Sequence, residues 1–158
     1  MTTLYRNAVI VTMDDSGSEH EDGWLLVDDT TIAAVGGGAA EPEATDVVDL
    51  NGAVVTPGLV NTHHHLYQTL TRALAQEADL FTWLRELYPI WSRIDAEAEY
   101  AAARTGIAEL ALSGCTTVFD HHYVFPKGRE GLIEAEVQAA RELGVRIVAS
   151  RGSMDLGA

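Results

Sequence analysis

An α/β architecture, opened by a small all-β module, is predicted by three features of this 158-residue chain. Up to residue 56, short β-branched runs alternate with turn-forming dipeptides. Beyond residue 58, short apolar runs alternate with apolar stripes at helical spacing, the pattern of a parallel sheet covered by helices. Hydrophobic residues make up 47% of the chain, enough for a buried core and too many for a disordered segment.

The β module comes first. Ala8–Thr12 is a β-branched run ended by Asp14, Asp15 and Gly17. Trp24–Val27 and Thr31–Val35 flank Asp28-Asp29-Thr30, which predicts a hairpin, and Gly36-Gly37-Gly38 closes it. Val47–Leu50 and Ala53–Thr56 flank Asn51-Gly52, the strongest short hairpin signal in the chain, so a second hairpin is expected there. Pro57-Gly58 marks the exit, giving a β module over residues 1–56 and a second unit over 57–158.

The second unit opens with Leu59–Thr62, read as a short buried strand running into three histidines. Leu80, Trp83, Leu84, Leu87, Tyr88 and Trp91 form an apolar stripe on one helix face, which favours core packing for both tryptophans. Asp95 suits the N-cap of a second helix, with Glu97 and Glu99 favourable in its first turn and Gly114 as its stop. Thr105-Gly106 inside it suggests close helix packing. Thr116–Asp120 is a second strand, followed by a loop through His121, Tyr123, Pro126 and Gly128. Glu130–Leu143 is a third helix ended by Gly144, and Val145–Ser150 a third buried strand. Such a pattern fits either the start of a barrel or a small three-stranded α/β layer. A complete eight-stranded barrel takes about 250 residues, so the chain is expected to be the opening portion of a longer protein.

The net charge of −14 disfavours some partners. Arg6 is the sole Lys or Arg before Arg72, and so acidic a surface repels nucleic-acid phosphates and anionic lipid. No apolar stretch approaches the roughly 20 residues of a membrane helix, and the N-terminus lacks a secretory pattern, so a cytoplasmic location is expected. Cys115 stands alone, which excludes a disulfide framework and a cysteine-based zinc site, and reads as a small core residue.

Thr62-His63-His64-His65 carries the chemistry. Side chains alternate along a strand, so His63 and His65 share one face and His64 takes the other. Two imidazoles on one face make half of a metal site suited to zinc, iron or nickel. A catalytic zinc keeps an open position for water, which it activates as a nucleophile. The competing reading of an H-x-H triplet is a hydrogen-bonded structural pair.

Val48-Asp49-Leu50-Asn51-Gly52 and Thr56-Pro57-Gly58-Leu59-Val60-Asn61-Thr62-His63-His64-His65 resemble the approach to the barrel in the amidohydrolase superfamily. That resemblance implies part of a small β-sandwich followed by the N-terminal portion of a TIM (β/α)8 barrel, incomplete in this chain. It also implies that His63 and His65 are metal ligands. His65-Leu66-Tyr67-Gln68, Leu70-Thr71-Arg72-Ala73, Phe81-Thr82-Trp83-Leu84, Gly114-Cys115-Thr116-Thr117, Asp120-His121-His122-Tyr123 and Arg151-Gly152-Ser153-Met154 resemble the cytosine-deaminase-like group. Within it they are most similar to 8-oxoguanine deaminases, with hydroxyatrazine and triazine hydrolases as near neighbours.

The resemblance implies a zinc-dependent aminohydrolase, with iron as the alternative metal, acting with water on a small aromatic heterocycle within a homo-oligomeric parent. An S-adenosylhomocysteine or adenosine-type deaminase is a further alternative. In the family a third histidine, an aspartate and the proton-transfer residues come from later strands, so no catalytic acid or base is assigned in this chain. By itself it is expected to be an inactive piece. Gln68, His121 and Tyr123 follow the first two strands at the expected mouth of the site; each reads either as a substrate contact or as an ordinary loop or helix-start residue. Asp120 is expected to hydrogen-bond backbone or a neighbouring imidazole, and His64 to pack away from the metal.

Overall fold

The computed structural model describes residues 1–153 and divides into two compact units, 1–57 and 58 onward. In the first, β1 (Thr2–Val11), β2 (Glu19–Asp28), β3 (Thr31–Gly37) and β4 (Asp46–Val55) form one sheet in the order β3-β2-β1-β4. β2 and β3 make the expected hairpin, with Asp28 opposite Thr31 and Asp29 at φ 50°. That positive φ is one an Asp tolerates in a tight turn.

Asn51-Gly52 does not turn a hairpin, and this corrects the sequence reading. β4 runs straight through it and pairs in parallel with β1. Pairing passes from Arg6↔Asp49 to Ala8↔Ala53, so β4 spends two more residues than β1 over that step. Asn51 at φ 51° and Gly52 at φ 75° absorb the excess as a bulge. Opposite it, Asn7 sits at φ 54° and donates from Nδ2 to Asp49 Oδ1 at 2.8 Å, while the Asn51 N–H donates to the same oxygen. The positive-φ preference of Asn-Gly was legible; whether it reversed the chain depended on the partner strand.

The second unit is a three-stranded parallel sheet, β5 (Leu59–His64), β6 (Cys115–His122) and β7 (Arg146–Arg151), in sequence order. A 3-10 helix over Leu66–Thr71 follows β5, then α1 (Leu80–Trp91) and α2 (Ala96–Leu112), with α3 (Leu132–Leu143) between β6 and β7. Asp79 Oδ1 accepts from the Thr82 N–H at 2.8 Å, and Asp95 Oδ1 from the Ala98 N–H at 3.0 Å, so both helices begin on a side-chain cap. Gly144 closes α3 at φ 70°, as expected.

One core holds Leu66, Ala103, Ile107, Val118, Ala139, Ala140 and Val145. The alanines of α2 and α3 let those helices approach the sheet closely. A second core centres on Trp91, with Tyr67, Leu87, Ile94, Val124 and Leu132, and the Trp91 indole N–H donates to Thr71 Oγ1 at 3.0 Å. Cys115 is buried and donates from Sγ to the Thr117 carbonyl.

β5 and β7 are not the buried strands that their composition suggests. Leu59 is 60% exposed and Val148 54%. Among the described residues, the helices pack on one face of the sheet, whereas Phe119 and its pair Val148 lie on the other. Among the described residues no helix is long and apolar enough to cross a membrane.

Candidate metal centre

Alternation along β5 and β6 sorts the histidines. His64 pairs in register with Asp120, whose face also carries Val118 and His122 and is buried. His63 and His65 therefore share the opposite face, with ring centroids 5.1 Å apart and nearly perpendicular planes.

The His65 ring is fixed. Its Nδ1 lies 2.7 Å from the His121 carbonyl oxygen, and a carbonyl only accepts, so Nδ1 carries the proton. Nε2 then keeps its lone pair for a metal, the tautomer that a backbone partner selects in metal-binding histidines. His63 is set from the backbone, its N–H donating to Asn61 Oδ1 at 3.1 Å. Both side chains line a cleft of about 440 Å³, together with Gln68, Thr69, Arg72 and Trp83, and His64 also reaches its edge.

Gln68 donates from Nε2 to the Tyr67 hydroxyl at 3.3 Å and to the Tyr123 hydroxyl at 3.2 Å, which holds its amide at the cleft wall. Tyr67 is wholly buried and its hydroxyl is pushed well above the usual tyrosine value by that burial, so it stays protonated. His121 and Tyr123 meet His65 through their rings, at centroid distances of 5.7 and 5.1 Å. Tyr123 also lines a separate hollow of about 200 Å³ with Phe125, Arg151, Gly152 and Ser153. The five site residues read from the sequence thus form one contiguous group around His65, with His63, His65 and Gln68 on the cleft itself. Met154, part of the last quoted motif, lies outside the described residues.

Asp120 makes the backbone hydrogen bond anticipated for it. Fully buried, it accepts the Leu66 N–H on Oδ1 at 2.6 Å, pinning the chain one residue beyond His65. Burial raises its carboxyl, and the Leu66 N–H opposes that rise. His64 stands with Nδ1 3.9 Å from Asp120 Oδ1, and burial lowers its pKa. Trp83 is half-buried: it packs edge-on against Trp91 at 5.1 Å while reaching the cleft, so core and cleft share it.

Sequence reasoning missed a second cluster behind the sheet. Glu99 of α2, His122 of β6 and Glu136 of α3 are all fully buried, and one ligand atom from each lies within 4.8 Å of the others. On sequence alone Glu99 is a favourable charge in the first turn of α2. In fact it sits on the buried stripe with Ala102, Ala103 and Gly106, at i, i+3, i+4 and i+7. Glu136 sits likewise among Leu132, Ala139 and Ala140. Those periodicities were present in the sequence and carried the signal.

Comparison with known proteins places these features in context. The model of the amidohydrolase family matches residues 54–157. An 8-oxoguanine deaminase of Pseudomonas aeruginosa is 48% identical over 139 residues, covering 85% of this chain and 31% of that protein. Hydroxydechloroatrazine ethylaminohydrolase of a Pseudomonas species is 35% identical over 98% of this chain and 35% of its own length. Among solved structures, atrazine chlorohydrolase of Arthrobacter aurescens complexed with zinc superposes with a TM-score of 0.88 at 32% identity, covering 98% of this chain and 36% of that one. The guanine deaminase of E. coli superposes with a TM-score of 0.78 at 25% identity. The chain spans about a third of the length of the curated relatives it matches.

Proposed function

The chain belongs to the amidohydrolase family, and on that premise we propose that it contributes the first metal-ligand pair of a zinc-dependent aminohydrolase acting on an aromatic nitrogen heterocycle, an 8-oxoguanine-like purine. The observation that carries this reading is His65, whose Nδ1 is tied to the His121 carbonyl so that Nε2 is free beside His63. The donor set fits: two imidazoles on one strand face, open to a cleft, are the kind of ligands zinc takes. The 48% identity to an 8-oxoguanine deaminase supports the substrate class.

On this reading β5, β6 and β7 are the first three strands of a (β/α)8 barrel, and β1–β4 belong to the sandwich before it. His63 and His65 would hold the ion, which when bound supplies Lewis-acid activation of a water for attack on the ring carbon bearing the exocyclic amine. Gln68, held by Tyr67 and Tyr123, presents its amide to the ring, and His121 and Tyr123 confine the His65 imidazole. Ammonia is the leaving group. Iron is the alternative metal. We further read the parent as cytoplasmic and homo-oligomeric, with water and a small heterocycle as its partners.

The test is ammonia release from 8-oxoguanine by the full-length protein, alongside zinc content. Wild-type protein is expected to carry zinc and turn over, and His63→Ala or His65→Ala to lose turnover together with one equivalent of zinc. Turnover persisting in zinc-free variants would overturn the assignment. The superposition on atrazine chlorohydrolase favours a second reading, hydrolysis of a substituted triazine. A triazine arm in the same assay separates the two, because the purine reading requires 8-oxoguanine to be the better substrate.

A further inference from the structure

Glu99, His122 and Glu136 present a puzzle of acceptors facing acceptors. His122 Nε2 lies 2.8 Å from the Val124 carbonyl oxygen, so Nε2 carries the proton and Nδ1 bears a lone pair. That Nδ1 points at Glu99 Oε1, 3.7 Å away, and at Glu136 Oε2, 4.0 Å away. Neither distance is a hydrogen bond. Nδ1 and all four carboxylate oxygens of Glu99 and Glu136 have no hydrogen-bond partner among the described residues, and Asp120 Oδ2 is in the same position. Burial lowers the pKa of His122, so the imidazole is neutral and offers no positive charge. Among the described residues, the ion-pair nitrogens within 4.0 Å of these three carboxylates are those of His122 and His64.

We propose that Glu99, His122 and Glu136 form a buried divalent-cation site, separate from the His63/His65 centre, that ties α2 and α3 to the end of β6. Two carboxylates balance a 2+ charge, and one imidazole nitrogen with carboxylate oxygens suits zinc, manganese or ferrous iron. Donors around an ion at about 2.1 Å stand roughly 3.0–3.5 Å apart, so a modest contraction of the present spacing closes the site. The Nε2–H bond to the Val124 carbonyl is the orienting partner that a metal-bound imidazole ordinarily has. The three donors come from three elements, so the ion acts as a cross-link. Lying on the helix side of the sheet, it is structural rather than catalytic. The rival arrangement is a pair of protonated carboxyls: burial pushes Glu99 up to about 8, and burial together with the neighbouring Asp120 carboxylate, to which a protonated Glu136 would donate, pushes Glu136 up to about 9. Protons leave the same donors unable to retain a metal, so metal binding decides between the two.

The experiment uses full-length protein carrying His63→Ala and His65→Ala, which removes the strand-β5 pair of cleft ligands and leaves the buried cluster intact. After chelator treatment and reloading with zinc, this variant is expected to hold about one equivalent per chain and to melt several degrees higher than its metal-free form. Adding Glu99→Gln and Glu136→Gln, which keep side-chain volume, is expected to abolish both effects. X-ray absorption of the zinc-loaded His63→Ala/His65→Ala protein is expected to show one imidazole and otherwise oxygen donors. Glu99→Gln alone in that background is expected to weaken zinc retention, which keeps the test decisive if the quadruple variant does not fold; unchanged zinc there would overturn the proposal. A zinc-free, unshifted His63→Ala/His65→Ala protein would overturn the proposal, as would zinc held by two or more imidazoles or by none.

Discussion

Gly106 offers the sharpest test of how the histidine strand is held. It lies on the buried face of α2, and a Cβ built there would stand 3.0 Å from Leu66 Cδ2, 3.0 Å from Thr69 Oγ1 and 3.7 Å from His64 Cε1. Comfortable contacts fall nearer 3.5–4.0 Å, so about half an ångström must be found. Thr69 is half-buried and can turn; Leu66 is fully buried against Ala103, Ile107 and Val118 and has nowhere to go. Overpacking of this kind costs about 1–3 kcal/mol, while replacing Gly by Ala within a helix returns roughly 1 kcal/mol. Gly106→Ala should therefore lower stability by about 1 kcal/mol net. Urea unfolding followed by far-UV circular dichroism measures it. Leu66→Ala in the same molecule should relieve the clash, so the double variant is less destabilised than the sum of the singles. Because Leu66 directly follows His65, the single variant should also bind zinc more weakly. If Gly106→Ala proves more stable by the full helix-propensity amount, the proposed close approach is wrong.

Gly52→Ala poses the opposite case, since a Cβ there meets nothing within 4 Å but φ is 75°. Its expected cost is about 1 kcal/mol, all from backbone strain, and Gly52→Asn should recover part of it; equal stability of Ala and Gly would refute the bulge geometry. Asp79 caps α1, and its carboxyl is held below the usual value by the Thr82 N–H. A lowered folded pKa gives stability that is present above the unfolded carboxylate value and lost as pH falls through the folded one. Asp79→Ala should thus melt lower than wild type at neutral pH, with the gap closing in acid; a gap that widens in acid would contradict the cap.

Much of the second unit was legible because each segment carried a local rule in agreement with its neighbours. The Asp95 cap and the Gly144 stop each correspond to a feature in the structure, and the C-terminal part of the Leu80-to-Trp91 stripe, Leu87 and Trp91, is buried while Leu80 is exposed. The hairpin over Asp28 to Thr31 was legible for the same reason. Asn51-Gly52 misled because the dipeptide specifies positive φ and nothing more. Chain reversal also needs the flanking strands to prefer each other, and here Val47–Asp49 and Ala53–Val55 both pair with β1. The exposure of β5 and β7 is hidden from the sequence for a similar reason. An apolar composition reports what a strand can bury, while the cover comes from residues far away in sequence.

The histidine centre and the carboxylate cluster show where sequence reasoning changes character. His63 and His65 are two residues apart, so the period of a single strand puts them side by side, and no tertiary knowledge was needed. Glu99, His122 and Glu136 are spread over three elements, and each looks ordinary in its own segment. Only the packing of α2 and α3 on β6 makes them meet. Yet the cost of burying a carboxylate means such a meeting requires compensation by a proton, a partner or a cation. A Glu on the alanine-rich buried stripe of a helix is therefore a signal in its own right. Two such helices packed on a strand that ends Asp-His-His turn that signal into a definite expectation of shared positive charge between them.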